Sequence, residues 1–545
     1  MKVLVLGGVA AGTKVAAKLL REDRSCEVTI LTKGKDISYA GCGLPYYVGD
    51  VIHEKSELIV NTPEKFQKLT GATVLTQMEA VAVKPDQHKV EAKDLKTGEQ
   101  KEYGYDKLVI ATGASPFVPQ IPGLELKNVF FMRTPDDAIR LREAVESGTI
   151  RRAVVAGGGF IGLEVAENLA AQDIKVTVID FADHVLPNFL DPELSEYVEN
   201  KMADAGIMPM TGVALEGATG TEKVEKVQTS RRAIKADALI LAIGVRPNTA
   251  FLEGSGIEMF KGTILTDKYL RTNVEDIYAA GDCAMVTNRQ TGQPAWSPMG
   301  STANIAGRIL AKNLAGGQVE YPGVLGTGVA KLPGGLNAGR TGLTETAAKA
   351  AGYDVISVVT VVDDKAHYYP GAGNFIIKLT ADKASRKLLG VQVLGAGAVD
   401  KVTDIAVTAI TLGASVDQLA AMDFAYAPPF STAIHPFAHS INVLMNKMDG
   451  MFDSMTPAEY QSGAAEGYRI IDCSPVPSLP GKQYLDLTAV NGEVEGLGKE
   501  ERLLLVCAKG KRAYLTQNRL KYYGYTNTKA LEGGTTFNEI EEEEE

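Results

Sequence analysis

A chain of 545 residues exceeds what one hydrophobic core serves, so two to four domains are expected. Its 56 glycines are scattered rather than periodic, which suits α/β turns and phosphate loops and excludes a fibrous repeat. A formal net charge of −11 excludes a general phosphate-backbone binder, so no nucleic-acid partner is expected, and an anionic substrate would need a local basic patch.

Five cysteines, Cys26, Cys42, Cys283, Cys473 and Cys507, lie far apart along the chain without metal-ligand spacing. Neither a metal site nor a disulfide scaffold is expected, which reads as a reducing, cytoplasmic compartment. The apolar opening is too short for a signal peptide, and no apolar stretch approaches about 20 residues, so no membrane span is expected. The acidic run 541–545 reads as a solvated tail.

Residues 3–6 form a buried-strand run, followed by a glycine turn over 7–12, a helical pattern over 13–21 and a strand pattern over 28–31. The same order returns with a strand at 153–156, a turn at 157–162, a helix to about 171 and a strand at 176–179. This alternation predicts a parallel doubly wound sheet, present twice. A Pro-rich stretch, 116–122, reads as a linker between the two units. A third region, about 327–447, has strand patterns at 355–362, 375–379 and 388–394 mixed with helical ones and no phosphate loop. After a break near 448–456, strands are expected at 469–472 and 503–506.

The second glycine turn is the cleaner. Gly157, Gly159 and Gly162 satisfy G-x-G-x-x-G between strand and helix, which lets the backbone approach a pyrophosphate at a helix N-terminus. Asp180 ends the next strand, where a carboxylate accepts from a ribose 2′-hydroxyl and repels a 2′-phosphate, favouring NADH. A plain glycine turn is the alternative. In the first turn Gly7 and Gly12 stand at the outer positions, but Val9 holds the middle one and Thr32 stands where an acid is usual. Taken alone it reads equally as a structural turn. Thr112 and Gly113 of an A-T-G segment and Asp282 of an A-G-D segment add to it, and the three together point to FAD.

On these motifs the sequence resembles the pyridine nucleotide–disulfide oxidoreductases. The resemblance implies an α/β chain with two Rossmann-like dinucleotide-binding domains, FAD at 1–115 with 245–325 and NADH at 116–244. It further implies an α+β dimerisation domain at 326–447 that makes a homodimer. In this family Phe160 would gate the nicotinamide and Glu164 would help to order it; helix packing is the alternative for both.

Cys42 lies in Ser38-Tyr-Ala-Gly-Cys42-Gly-Leu-Pro-Tyr46, after the second strand and before an expected helix, where a thiol is expected to shift toward thiolate. Five positions on, where dithiol reductases of this fold carry a second cysteine, stands Tyr47. Oxidised Cys42 must therefore take a partner from outside, as a mixed disulfide, persulfide or sulfenic acid; a buried structural cysteine is the alternative. The stretch, including Ser38, resembles the coenzyme A disulfide reductase branch, with Gly41 where an Asn is common. That branch implies that Tyr426 and Tyr368, with Tyr369 as the register alternative, serve the cysteine of the other subunit. It also implies that Lys18 and Arg21, beside Lys14 on the first helix, meet the phosphates of coenzyme A; a solvated charged face is the alternative.

At 453–545 a buried-strand run leads into Cys507-Ala-Lys-Gly-Lys-Arg512, a loop that could ring a thiolate or persulfide with backbone N–H groups. It resembles the rhodanese sulfurtransferases, with Asp472 on an early strand. Yet only Pro480-Gly481 represents an expected intervening segment, so a degenerate docking domain is the alternative. The expected function is NADH- and FAD-dependent reduction of small-molecule sulfur–sulfur bonds (coenzyme A persulfide, polysulfide or coenzyme A disulfide) through Cys42, with Cys507 handling sulfane sulfur. The alternatives are an NADH oxidase or peroxidase that cycles Cys42 through sulfenic acid, disfavoured by Ala10 where related peroxidases carry His, and a sulfur carrier with little redox turnover.

Overall fold

The computed structural model describes residues 1–540; the acidic run 541–545 lies outside the described residues. The chain forms two compact units, Met1–Asp183 with Gly206–Val324, and His184–Ala205 with the chain from Leu325 onward.

In the first unit, Lys2–Leu6 pairs in parallel with Glu27–Thr32 and Lys107–Ile110, and Thr73–Thr76 and Ile277–Ala279 complete a five-stranded sheet. Val3 to Leu6 are buried on both faces, as a covered parallel sheet requires. A second parallel sheet repeats the plan, in the order Met208–Met210, Lys175–Ile179, Arg152–Ala156, Ala238–Leu241, Val129–Phe130. In both, the strand feeding the glycine turn is central, so the duplication is one of topology. Ala114–Pro116 and Val245–Pro247, the two chain crossings, pair antiparallel.

The second unit holds two sheets. Gly328–Leu332, Leu336–Gly342, Leu388–Gly395, Asn374–Asp382 and Val355–Asp363 form an antiparallel sheet, packed by Val399–Leu412 and Pro436–Met448. Ser454–Met455, Thr528–Leu531, Leu503–Val506, Arg469–Asp472 and Gln483–Tyr484 form a small parallel sheet. Among the described residues no helix is long and apolar enough to cross a membrane.

The segment His184–Ala205, expected with residues 116–244, groups with the second unit. A buried ion cluster accounts for it. Lys378 is 3% exposed, and its ammonium meets Asp191 at 3.0 Å, Glu345 at 2.8 Å, and Glu193. The Gln392 amide donates to Asp191 at 2.6 Å. Burial alone would raise the Asp191 and Glu345 carboxyls, but the Lys378 charge and hydrogen bonds bring both down to about 2. Their contribution to stability is therefore present above the ordinary carboxylate range and lost as pH falls from about 4 toward 2. Lys378→Met should cost about 3–5 kcal/mol at pH 7, because it strands buried carboxylates. Denaturant unfolding should show that loss at pH 7, and the difference between variant and parent should shrink below pH 3.

Candidate active site

Both glycine turns are closed by the same backbone contact. Gly7 (φ 110°) donates its N–H to the Leu31 carbonyl at 2.8 Å, and Gly157 (φ 112°) donates to Ile179 at 2.8 Å. A Cβ on Gly12 would stand 1.9 Å from the Gly7 oxygen, and one on Gly162 would stand 1.8 Å from that of Gly157. The third glycine thus lies inside the helix, so the first helix, Ala10–Glu22, begins before the periodic pattern expected at 13, and the second is Phe160–Ala170. Neither N-terminus carries a side-chain cap, which leaves its leading N–H groups for an anion, and the space beside Gly159 is open. These features fit a dinucleotide pyrophosphate at each turn.

Asp180 accepts from the Gly158 N–H at 2.6 Å and the Ala182 N–H at 2.8 Å, which holds its carboxylate beside the second turn. Thr112 donates to the Asn248 carbonyl at 2.7 Å, and the Asn248 N–H donates to Gly113 at 2.9 Å. Asp282 accepts from the Arg133 guanidinium at 3.0 Å. Neither Asn248 nor Arg133 stands in a motif, and neither was expected.

Cys42 is exposed, in the 3₁₀ turn Gly41–Gly43 that leads into Leu44–Val48. The expected shift toward thiolate is not found. Crowding on its inner side pushes the thiol up, Glu164 and Asp282 add to this, and Arg133 opposes it. The helix has only five residues, and the Gly43 N–H already bonds the Ala40 carbonyl at 2.9 Å, so little dipole reaches the sulfur. Burial raises the Glu164 carboxyl to about 7; the Tyr46 hydroxyl, donating at 3.2 Å, opposes the rise. Phe160 opens the same helix and is half-buried.

Tyr47 fills the place of the absent second cysteine, with the Arg142 guanidinium 4.5 Å from its ring centre. Arg142 also donates to the carbonyls of Tyr47 at 3.0 Å and Ile52 at 3.1 Å and to Asp50 at 2.6 Å, capping the end of the cysteine helix. This clamp too was invisible in the sequence.

Ser38 holds a left-handed backbone (φ 47°), kept there by its N–H on Gly8 at 2.9 Å and its carbonyl on the Val60 N–H at 3.1 Å. With Thr13, Lys14 and Arg21 it lines a cavity of about 310 Å³. Lys18 does not line it; its ammonium pairs with Glu22 one turn on.

In the second unit the Tyr368 and Tyr426 hydroxyls lie 3.4 Å apart, at residues 65% and 49% exposed. The hydrogen bond shared with Tyr368 holds Tyr426 as the neutral phenol and pushes its pKa up. Tyr369 is also exposed. Cys507 is buried at the end of Leu503–Val506, and Gly510 (φ 81°) turns the chain into Lys511–Tyr522. Arg512, which ends the loop, donates to the Cys473 carbonyl at 3.0 Å and reaches Asp486 at 3.4 Å. Lys509 ties the loop to Asp363 at 2.6 Å and Asn374 at 2.7 Å. Asp472 accepts from the N–H groups of Ser474 at 2.9 Å and Leu479 at 3.0 Å.

A profile described as pyridine nucleotide-disulphide oxidoreductase matches residues 1–302. The chain belongs to that family. The family's dimerisation domain matches residues 334–438, and a rhodanese-like domain matches 440–536. Among relatives, the NADH oxidase of Methanocaldococcus jannaschii is 33% identical over 82% of this chain and 99% of its own. The NAD(P)H coenzyme A polysulfide/persulfide reductase of Pyrococcus horikoshii is 35% identical over 81% of this chain and 98% of its own. The solved NAD-dependent persulfide reductase from A. fulgidus is 35% identical, with a TM-score of 0.93 over 98% of this chain and 100% of that one. As in that family, this is an oxidoreductase with a rhodanese-like domain at its C-terminal side.

The carboxylate beside Cys42 yields a test. Glu164→Gln removes a negative charge that raises the thiol, so alkylation of Cys42 by iodoacetamide at about pH 8.5, where the parent's Glu164 is ionised, should quicken about threefold. The rate-against-pH curve should move to lower pH.

Proposed function

We propose that this protein is an FAD-dependent NADH:persulfide oxidoreductase that cleaves the sulfur–sulfur bond of coenzyme A persulfide, or of a related polysulfide or disulfide, at Cys42. What carries the reading is a lone exposed cysteine in a two-dinucleotide scaffold, with Tyr47 where a second thiol would close on it. The rhodanese-like domain favours a sulfur substrate over oxygen, as does the near-complete overlap with a solved persulfide reductase; the NADH oxidase relative covers 82% of this chain.

The Cys42 thiolate attacks the inner sulfur of the persulfide. A Cys42–coenzyme A mixed disulfide forms, and the outer sulfur leaves as hydrosulfide. When bound, NADH and FAD would supply the two electrons needed to restore the thiolate and free coenzyme A. Gly7, Gly12, Thr112, Gly113 and Asp282 serve the FAD side; Gly157, Gly159, Gly162, Glu164 and Asp180 serve the NADH side. Lys14 and Arg21, with Ser38, receive the anionic tail in the cavity they line. Glu164, titrating near neutrality, stores a proton beside the sulfur and loses its opposing charge when it does so. Through a homodimer, Tyr426 and Tyr368 donate to the departing thiolate, and Cys507 takes up sulfane sulfur from donors. We place the enzyme in the cytoplasm, where reduced coenzyme A is available.

Cys42→Ser should lower NADH oxidation with coenzyme A persulfide by about 10³-fold or more while FAD absorbance is retained. Full activity in that variant would overturn the role. The same assay with oxygen or peroxide in place of persulfide decides against the oxidase reading if NADH consumption stays at background.

A further inference from the structure

The small parallel sheet brings two cysteines together that stand far apart in sequence. Arg469–Asp472 and Leu503–Val506 pair in parallel, with Ile471 opposite Leu505 and Asp472 opposite Val506. Cys473 and Cys507 are the next residues of each, and the hydrogen bonding reaches the first of them, with the Cys473 N–H donating to the Val506 carbonyl at 2.7 Å. Side chains alternate along strands, so both cysteines follow Ile471 and Leu505 onto one face, and all four belong to one buried cluster. Neighbouring strands run about 4.8 Å apart, inside the Cα separation of roughly 4.4–6.8 Å that a disulfide spans.

Three further observations converge on the pair. Arg512, the arginine that ends the Cys507 loop, is anchored on the Cys473 carbonyl, which joins the two segments. Thr516 is fully buried on Lys511–Tyr522, its hydroxyl makes no regular hydrogen bond, and it faces the Cys473 thiol. Burial first, and then Cys507 and Asp472, raise the Cys473 thiol to about 12, so the two sulfurs interact through space.

We propose that Cys473 is the resolving thiol of Cys507, so that this domain releases sulfide itself rather than only relaying sulfane sulfur. The proposal rests on the reading that Cys507 accepts sulfane sulfur. The Cys507 thiolate attacks a polysulfide or persulfide, the donor's S–S bond breaks, and Cys507 becomes a persulfide while the shortened donor leaves as its thiolate. Cys473 then attacks the Cys507 Sγ. A Cys473–Cys507 bond forms, the bond to the outer sulfur breaks, and that sulfur leaves as hydrogen sulfide with the proton of the Cys473 thiol. Both cysteines are oxidised by one electron each, and the sulfane sulfur is reduced by two. Two equivalents of a low-molecular-weight thiol return the pair to thiols.

The test uses the full-length enzyme without NADH, treated anaerobically with inorganic polysulfide, quenched with iodoacetamide and mapped by peptide mass spectrometry. The parent should show a Cys473–Cys507 cross-linked peptide and about one sulfide released per cross-link, and Cys507→Ser should show neither. In Cys473→Ala and Cys473→Val, persulfide on Cys507 should accumulate about tenfold above the parent. Equal persulfide on Cys507 in parent and variants, without the cross-link, overturns the pair and leaves Cys507 as a sulfur acceptor. No sulfur adduct and no cross-link in any of them overturns both readings. Retention of the parent's circular dichroism by either Cys473 variant suffices for the comparison.

Discussion

A place where a side chain is forbidden underlies both dinucleotide units. Gly12 on Gly7 and Gly162 on Gly157 bring a helix onto the carbonyl of its own turn at a distance that any Cβ would block. That contact points each helix's uncapped N-terminus outward from the strand end, which is what an anionic pyrophosphate requires. The first turn tolerates Val9 at its middle position because the close contact is made by the outer glycines, and Val9 stands just ahead of the helix. The middle position answers to the ligand rather than to the fold.

The Cys42 thiol is pushed up by burial first and by neighbouring charge second, with little help from helix geometry. Glu164 arrives from the second dinucleotide unit's helix and Asp282 from the far end of the first sheet, and both disfavour a thiolate; Arg133 favours it and is itself held by Asp282. The balance shifts when Glu164 takes a proton, and its carboxyl titrates near neutral pH. The thiol is therefore coupled to a carboxyl on the helix that forms the second turn. Arg142 complements this from below. By gripping carbonyls at the end of Leu44–Val48 and covering the ring of Tyr47, it gives rigidity to a five-residue helix that could not hold itself.

Local spacing made part of this legible in the sequence. Gly157, Gly159, Gly162 and Asp180 lie within one strand–turn–helix–strand run, and the absence of a cysteine at 47 is read five positions from Cys42. The direction of the Cys42 shift was misjudged because the helix terminus is adjacent in sequence while Glu164 and Asp282 are not. Lys18 was put forward with Arg21 by resemblance and helical spacing, and neither of these shows that its ammonium pairs with Glu22 one turn on. Arg133, Arg142, Lys378 and Cys473 belong to no motif; each acquires its meaning from a partner brought by tertiary structure.

The two sulfur centres solve opposite problems. Cys42 is exposed, and Tyr47 stands where a second thiol would close on it, so on the proposed reading the bond it forms includes the substrate. Cys507 is buried, its loop is anchored by Lys509 and Arg512, and a second thiol stands at the next position of the neighbouring strand. A rigid sheet suits such a pair, since register alone sets the separation and no loop must close to make the bond. An exposed thiol is open to a bulky carrier, whereas a buried one is reached only by a small donor, so the two sulfurs differ first in access.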